Sequence, residues 1–160
     1  MFFILINKMA SNSTLCANNV STNSANINSL SYKQPVVALT AATTISVQDS
    51  GTLFTLDSAG GAYAVTLPTV ASGANCIFTF VVAENTPTAD ITISSNAANI
   101  FGNLMIQSDT NEDNRVACAG VTSVLVDTTS LKGDRLQFVG DGTSYFVTGM
   151  GAVQGAFTTA

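Results

Sequence analysis

The residues best suited to hold a metal ion form one acidic run, Asp109–Asn114, with the sequence Asp-Thr-Asn-Glu-Asp-Asn. Oxygen ligands recur at alternate positions of this run, as they do in the first half of a calcium-binding loop. The second half departs from that pattern, because Asn114 stands where the tight-turn glycine belongs and Gly120 where the bidentate glutamate belongs. We predict a solvated loop that requires no metal or cofactor, with a calcium site as the alternative.

Few residues of the chain are suited to catalysis. The chain has no histidine, which removes the commonest general base and the commonest transition-metal ligand. Glu112 and Asp113 could serve as the carboxylate pair of a glycosidase, but adjacent residues in a loop fix no separation between the two groups. Cys76 opens an apolar run and is predicted to be a small core residue, with a Cys76–Cys118 disulfide as the alternative. We predict that the protein is not an enzyme.

The composition limits the possible partners. Charged residues make up 9% of the chain, against about 25% in a typical soluble protein. With a net charge of −5 and only five Lys and Arg residues, the chain cannot neutralise a track of phosphates, which argues against nucleic-acid binding. Its longest terminal apolar run has five residues, far short of the roughly 20 of a membrane span. We therefore predict a protein partner, and neither nucleic acid nor membrane.

Residues 1–34 are predicted to form an extended N-terminal arm rich in Asn and Ser. Its isolated apolar residues are too few to form a core of their own, so we expect a neighbouring chain to order the arm. A floppy end, or a translation start at Met9 rather than Met1, is the alternative for the first residues. The residues predicted to bind the partner are Phe2, Phe3, Ile4, Leu5, Ile6, Leu15, Val20, Ile27 and Leu30.

From Pro35 onward the apolar residues alternate with polar ones, the pattern of β-strands. About ten short runs are separated by Gly, Asn, Asp and Pro turns, and no segment has helical periodicity. We predict that residues 35–160 form an all-β domain, an antiparallel β-sandwich of jelly-roll type. The most apolar run, Cys76–Val82, is the best candidate for a central strand.

Two hairpins are predicted within this domain. One joins Leu53–Asp57 to Ala62–Leu67 through Ser58–Gly61. The other spans Gly133–Gly149, where Asp141-Gly142 suits a two-residue type I′ turn.

In the second hairpin the turn pairs Phe138 with Tyr145 and Leu136 with Val147, so these four side chains share a buried face. Val139 and Phe146 lie on the opposite face and are predicted to form a subunit interface. We also predict an ion pair between the neighbouring residues Asp134 and Arg135.

Three segments together resemble a β-module of tailed-bacteriophage virion proteins, especially capsid decoration (cement) proteins and some fibre proteins. They are Asp49–Leu56, Gly61–Pro68 with its Val-Thr-Leu-Pro end, and Gly133-Asp134 followed by Asp141–Gly149. The chain departs from the module at Tyr145, where a tryptophan is usual. The resemblance implies a structural virion protein, typically a homotrimer that clamps neighbouring capsomers.

From this resemblance we expect a protein that decorates and stabilises a phage capsid by binding the assembled lattice of the major capsid protein. It would be synthesised in the host cytoplasm and reside on the outer surface of the virion capsid. The alternative is a phage tail or head fibre module that binds a host receptor or glycan. The shortage of aromatic residues, with no tryptophan and three tyrosines, argues against a sugar-binding platform.

Overall fold

Strands form at most of the positions where apolar and polar residues alternate. The computed structural model describes residues 33–107 and 115–160. These residues contain twelve strands and one short 3-10 turn, with no α-helix. The strands are β1 Val36–Leu39, β2 Thr43–Thr44, β3 Leu53–Leu56, β4 Tyr63–Thr66, β5 Ile77–Val82, β6 Ile91–Ser94, β7 Ile100–Ile106, β8 Arg115–Val121, β9 Ser123–Val126, β10 Arg135–Gly140, β11 Tyr145–Gly151 and β12 Phe157–Thr159. The 3-10 turn is Val47–Asp49. The protein is therefore all-β, as predicted.

The strands form two mixed sheets. The seven-stranded sheet has the order β1-β3-β5-β10-β11-β7-β8, and the five-stranded sheet has the order β12-β9-β6-β4-β2. Five of the pairings are parallel, β1 with β3, β3 with β5, β7 with β11, β2 with β4 and β4 with β6. The prediction of a purely antiparallel arrangement, and with it the jelly-roll topology, is therefore wrong.

Four of the five parallel pairs arise because the first six strands alternate between the two sheets. A chain that runs up one sheet and down the other returns to the first sheet in its original direction, so each circuit adds a parallel strand to both. The predicted hairpin around Ser58–Gly61 is accordingly wrong. That turn carries the chain from β3 in one sheet to β4 in the other.

The hairpin formed by β10 and β11 exists, but its register differs from the prediction by two residues. Gly140 pairs with Tyr145, Phe138 with Val147 and Leu136 with Gly149. This register leaves a loop of four residues between the two strands. Within the loop, the Asp141 carboxylate accepts hydrogen bonds from the backbone N–H groups of Thr143 and Ser144, at 2.8 and 2.7 Å. These bonds hold the pKa of Asp141 below its usual value. A shift of two residues leaves every side chain on its predicted face.

The buried side chains of both sheets belong to one hydrophobic cluster. The aromatic rings of Phe54 and Phe80 stack with centroids 5.3 Å apart, and Phe138 meets Phe80 edge to face at 5.8 Å. The four hairpin residues predicted to share a buried face, Leu136, Phe138, Tyr145 and Val147, are buried in this cluster together with Phe54, Val65, Phe78 and Phe80. Residues Lys33–Ala160 form a compact unit, whereas all but the last two residues of the predicted arm, 1–34, lie outside the described residues.

Candidate interaction surface

The face of the seven-stranded sheet that points away from the core carries a row of exposed apolar side chains. Ile77 pairs with Val139, Val139 with Phe146, Phe146 with Phe101, and Phe101 with Ala119, each on the next strand of the sheet. We call these five residues the aromatic row. Its four large side chains are 36% to 48% exposed. Val139 and Phe146, the predicted interface residues, therefore lie side by side in a longer apolar row.

A polar row crosses the same face two residues further along each strand. Thr79, Gln137, Thr148 and Asn103 are successive cross-strand partners in this row. The Gln137 side chain donates a hydrogen bond from Nε2 to Thr79 Oγ1 at 3.3 Å. The polar row thus separates the aromatic row from the opposite end of the sheet.

The third row combines two arginines with two methionines. Arg135 pairs with Met150, Met150 with Met105, and Met105 with Arg115. Met105 and Met150 are 54% and 66% exposed. The outer face therefore has an uncharged apolar end and a cationic apolar end.

The position of Phe146 depends on its buried neighbour, Tyr145. The Tyr145 hydroxyl donates a hydrogen bond to the backbone carbonyl of Pro68 at 2.9 Å, and burial raises the tyrosine pKa to about 12. A Cβ atom on Gly73 would collide with the Tyr145 ring, so that glycine leaves the space which the ring fills. Tyr145 thereby fixes the start of β11, and with it the outward direction of Phe146.

Asp134 has a structural role that differs from the predicted ion pair. Asp134 is buried, and its carboxylate oxygens accept hydrogen bonds from the backbone N–H groups of Leu131 and Ala152, each at 2.9 Å. The Arg135 side chain is exposed on the outer face. The prediction of an Asp134–Arg135 ion pair is therefore wrong, because the carboxylate instead joins the turn before β10 to the end of β11.

A hydrogen-bond network around Ser58 was not anticipated from the sequence. Ser58 is fully buried, and its hydroxyl oxygen accepts hydrogen bonds from the backbone N–H groups of Thr88 and Ala89, at 2.9 and 3.2 Å. The Ser58 N–H donates to the Glu84 carboxylate. Through these bonds Ser58 joins the turn after β3 to the segment before β6.

The described residues contain little that could bind a metal ion. No group of three or more His, Cys, Asp or Glu side chains in residues 33–107 and 115–160 is arranged to hold one. Cys76 and Cys118 are free and buried, so the disulfide alternative is wrong, and burial raises the pKa of the Cys118 thiol. The acidic run Asp109–Asn114, with its calcium alternative, lies outside the described residues.

The apolar residues assigned to the partner-binding arm also lie outside the described residues. Of the site residues predicted from the sequence, the structure describes Val139 and Phe146 alone. Ile77, Phe101, Met105 and Met150 were not anticipated as surface residues. Phe101 and Met105 are as apolar as their buried neighbours Ile100 and Leu104, so no alternation in the sequence of β7 marked them as surface residues.

Comparisons with known proteins do not assign this fold or surface to a family. No protein-family model, curated protein or solved structure matches the chain.

Within the part of the chain that the structure describes, no helix has the length and apolar character needed to cross a membrane.

Proposed function

We propose that this chain is a structural virion protein that decorates and stabilises a bacteriophage capsid by binding the assembled major capsid protein lattice as a homotrimer. The observation that carries the proposal is the aromatic row on the outer face of the seven-stranded sheet. Contiguous exposed apolar surface of this kind usually marks a site of association between proteins. We take a phage capsid as the assembly because the ordered sequence motifs resemble those of phage virion proteins.

The proposed architecture for this role is a β-sandwich in which the two sheets pack face to face. It is supported by the single hydrophobic cluster to which both sheets contribute. In a sandwich each sheet has one buried and one outward face, so the outer face of the larger sheet is free to bind other subunits.

A closed three-fold ring suits the aromatic row. An apolar row on each subunit needs cover, and a cyclic trimer covers every copy without leaving an open end that would continue into a fibre. The row contains no charged residue, so its burial against another copy carries no cost of desolvating an ion. Each trimer then carries three identical surfaces for binding the capsid lattice.

Stabilisation of the capsid then follows from mass action. A protein that binds only the assembled, expanded lattice lowers the free energy of that state by RT ln(1 + [L]/Kd) for each site. Three attached copies bind as a set, so weak individual contacts add up to a firm attachment. No catalytic step is needed for this function.

Self-association should depend on the aromatic row. We expect Phe146→Asp to weaken trimer formation at least about 100-fold, because the new carboxylate would be buried without a partner. Sedimentation velocity measures this as the loss of a species with three times the 16.4 kDa subunit mass. Thr158→Asp, on the exposed side of the five-stranded sheet, is the matched control and should leave the trimer intact. A wild-type protein that is monomeric at high concentration would contradict the proposed trimer.

Attachment to heads should depend on the N-terminal arm. We expect the full chain to bind expanded phage heads that lack decoration, and a chain starting at Tyr32 to remain trimeric but bind at least about 100-fold more weakly, since three arms act together. Co-sedimentation with the heads measures both affinities. Equal binding by the shortened chain would exclude the arm as the clamp. If the full chain is found on tails and never on heads, the fibre-module alternative replaces this proposal.

A further inference from the structure

One aromatic side chain of the outer face lies over a glycine of the neighbouring strand. A Cβ atom built on Gly120 would lie 3.3 Å from Cζ and 3.4 Å from Cε1 of Phe101. The tip of the Phe101 ring therefore covers the backbone of Gly120 in β8. Because glycine alone has no Cβ atom, any other residue at this position would push against the ring.

Gly120 is also the extra residue of a β-bulge. Ile100 pairs with Val121 and Phe101 pairs with Ala119, so Gly120 lies between the two pairs on β8 without a partner of its own in the ladder. Its φ is +77°, a conformation that glycine adopts readily and alanine does not. A bulge bends its strand and changes the direction of the side chains beside it. The backbone conformation and the missing side chain at position 120 thus act on the same aromatic ring.

The Phe101 ring continues the aromatic row toward the edge of the sheet. β8 is the edge strand of the seven-stranded sheet, and its member of the row is the small residue Ala119. Phe101 is 40% exposed, so most of its surface is covered although the side chain points away from the core. A ring that lies over β8 supplies there the large apolar surface that β8 itself lacks.

The bulge also favours association through the outer face rather than through this edge. An edge strand with a regular ladder can add a strand from another molecule, whereas a bulge disfavours such pairing. The ladder of β8 is interrupted at Gly120, beside the aromatic row. A second copy that approaches this side of the sheet is therefore expected to contact the rings and not the backbone of β8.

We infer that Gly120 is a positioning residue for self-association, which sets the angle of Phe101 and thereby the shape of the aromatic row where a second copy packs. The inference rests on the proposed function in one respect, since that proposal makes the aromatic row the contact between subunits. Gly120 acts through the Phe101 ring, so its effect on association should disappear when the ring is removed.

The placement of the ring can be tested without a trimer. The full chain with Phe146→Asp, which the proposed function predicts to be monomeric, is suited to nuclear magnetic resonance. One Hα of Gly120 points toward the Phe101 ring, along the direction of the Cβ atom described above. We expect a strong nuclear Overhauser effect between this proton and the ring protons of Phe101. Its absence would overturn the inference, whatever the oligomeric state of the wild type.

The role in association is tested with full-length variants by sedimentation velocity. In Gly120→Ala the ring must move away from the new methyl group, so we expect self-association to weaken roughly tenfold. Gly133→Ala is the matched control, because Gly133 also has a positive φ, +98°, but nothing lies within 4 Å of a Cβ atom built on it. It should leave association unchanged. Equal weakening by the two variants would overturn the inference, since backbone strain alone would then explain both.

A double-mutant cycle tests whether the effect passes through the ring. Phe101→Ala should itself weaken association roughly tenfold, as the loss of an aromatic contact residue commonly does. In that background Gly120→Ala should cause no further weakening, because no ring remains to be displaced. Additive losses would overturn the inference.

Gly120→Asn separates the position of the ring from the stability of the fold. Asparagine tolerates a positive φ better than alanine does, and it places more atoms beneath the ring. We expect it to be less destabilising than Gly120→Ala in urea unfolding, yet to weaken association at least as much. Association losses that follow the order of the stability losses would overturn the inference. A wild type that stays monomeric, with the Overhauser effect present, would count against the proposed function alone.

Discussion

Replacement of Phe80 by alanine is expected to lower the free energy of unfolding by about 3–5 kcal/mol, the usual cost of truncating a fully packed aromatic side chain. Phe80 has no exposed surface, and its ring contacts Phe54 in a stacked arrangement and Phe138 edge to face. Alanine would leave a cavity between three strands of the seven-stranded sheet, β3, β5 and β10. Urea unfolding followed by far-UV circular dichroism measures the change.

Phe101→Ala is the matched control, because it removes the same side chain from the exposed face of the same sheet. Phe101 is 40% exposed, so we expect a loss of only about 1 kcal/mol. Both variants should be made in the Phe146→Asp background, so that self-association does not contribute to the measured stability. Similar losses for the two variants, or a helical far-UV spectrum, would contradict the core described above.

Replacement of Gly102 by alanine should have an effect of similar size for a different reason. Gly102 in β7 has a φ of +144° and pairs with Val147 in β11. A Cβ atom on Gly102 would lie 2.9 Å from the carbonyl carbon of Val147 and 3.0 Å from its nitrogen, and closer still to its carbonyl oxygen. The backbone strain and the overlap together should cost about 3–5 kcal/mol, measured by the same unfolding experiment.

Gly133→Ala separates these two contributions. Gly133 also has a positive φ, +98°, but nothing lies within 4 Å of a Cβ atom built on it. Alanine there should cost only the backbone term, about 1–2 kcal/mol. If Gly102→Ala were no more destabilising than Gly133→Ala, β7 and β11 could not be as close as the parallel pairing requires.

The positions of the strands and of the core could be predicted from the sequence because both depend on local pattern. The period-two alternation places Leu136 and Phe138 on one face of β10 and Val139 on the other, whatever lies beside the strand. The same reasoning identified Phe146 as an exposed apolar residue, although it did not identify Phe101, which lies next to it. Strand β8 was missed, since its small residues Ala117, Ala119 and Gly120 give a weak alternation.

Strand pairing could not be predicted in the same way. A run such as Leu53–Leu56 shows that one of its faces is buried, but not which strand lies on either side of it. The choice between a hairpin and a crossing to the other sheet at Ser58–Gly61 is made by distant contacts, including the hydrogen bonds between Ser58 and Thr88. Those bonds join residues 30 positions apart, and nothing in the local turn sequence indicates them.

An all-β protein, the burial of its apolar strand faces and the two exposed apolar residues Val139 and Phe146 therefore follow from local sequence pattern. The parallel pairings, the four-residue loop at Asp141 and the three rows of the outer face depend on contacts between distant parts of the chain. The third row shows this most clearly, because Arg115 and Arg135 are brought into one row by the two strands between them. The difference arises because the burial of a strand face is encoded within a few neighbouring residues, whereas a surface assembled from several strands depends on the order of those strands in the sheet.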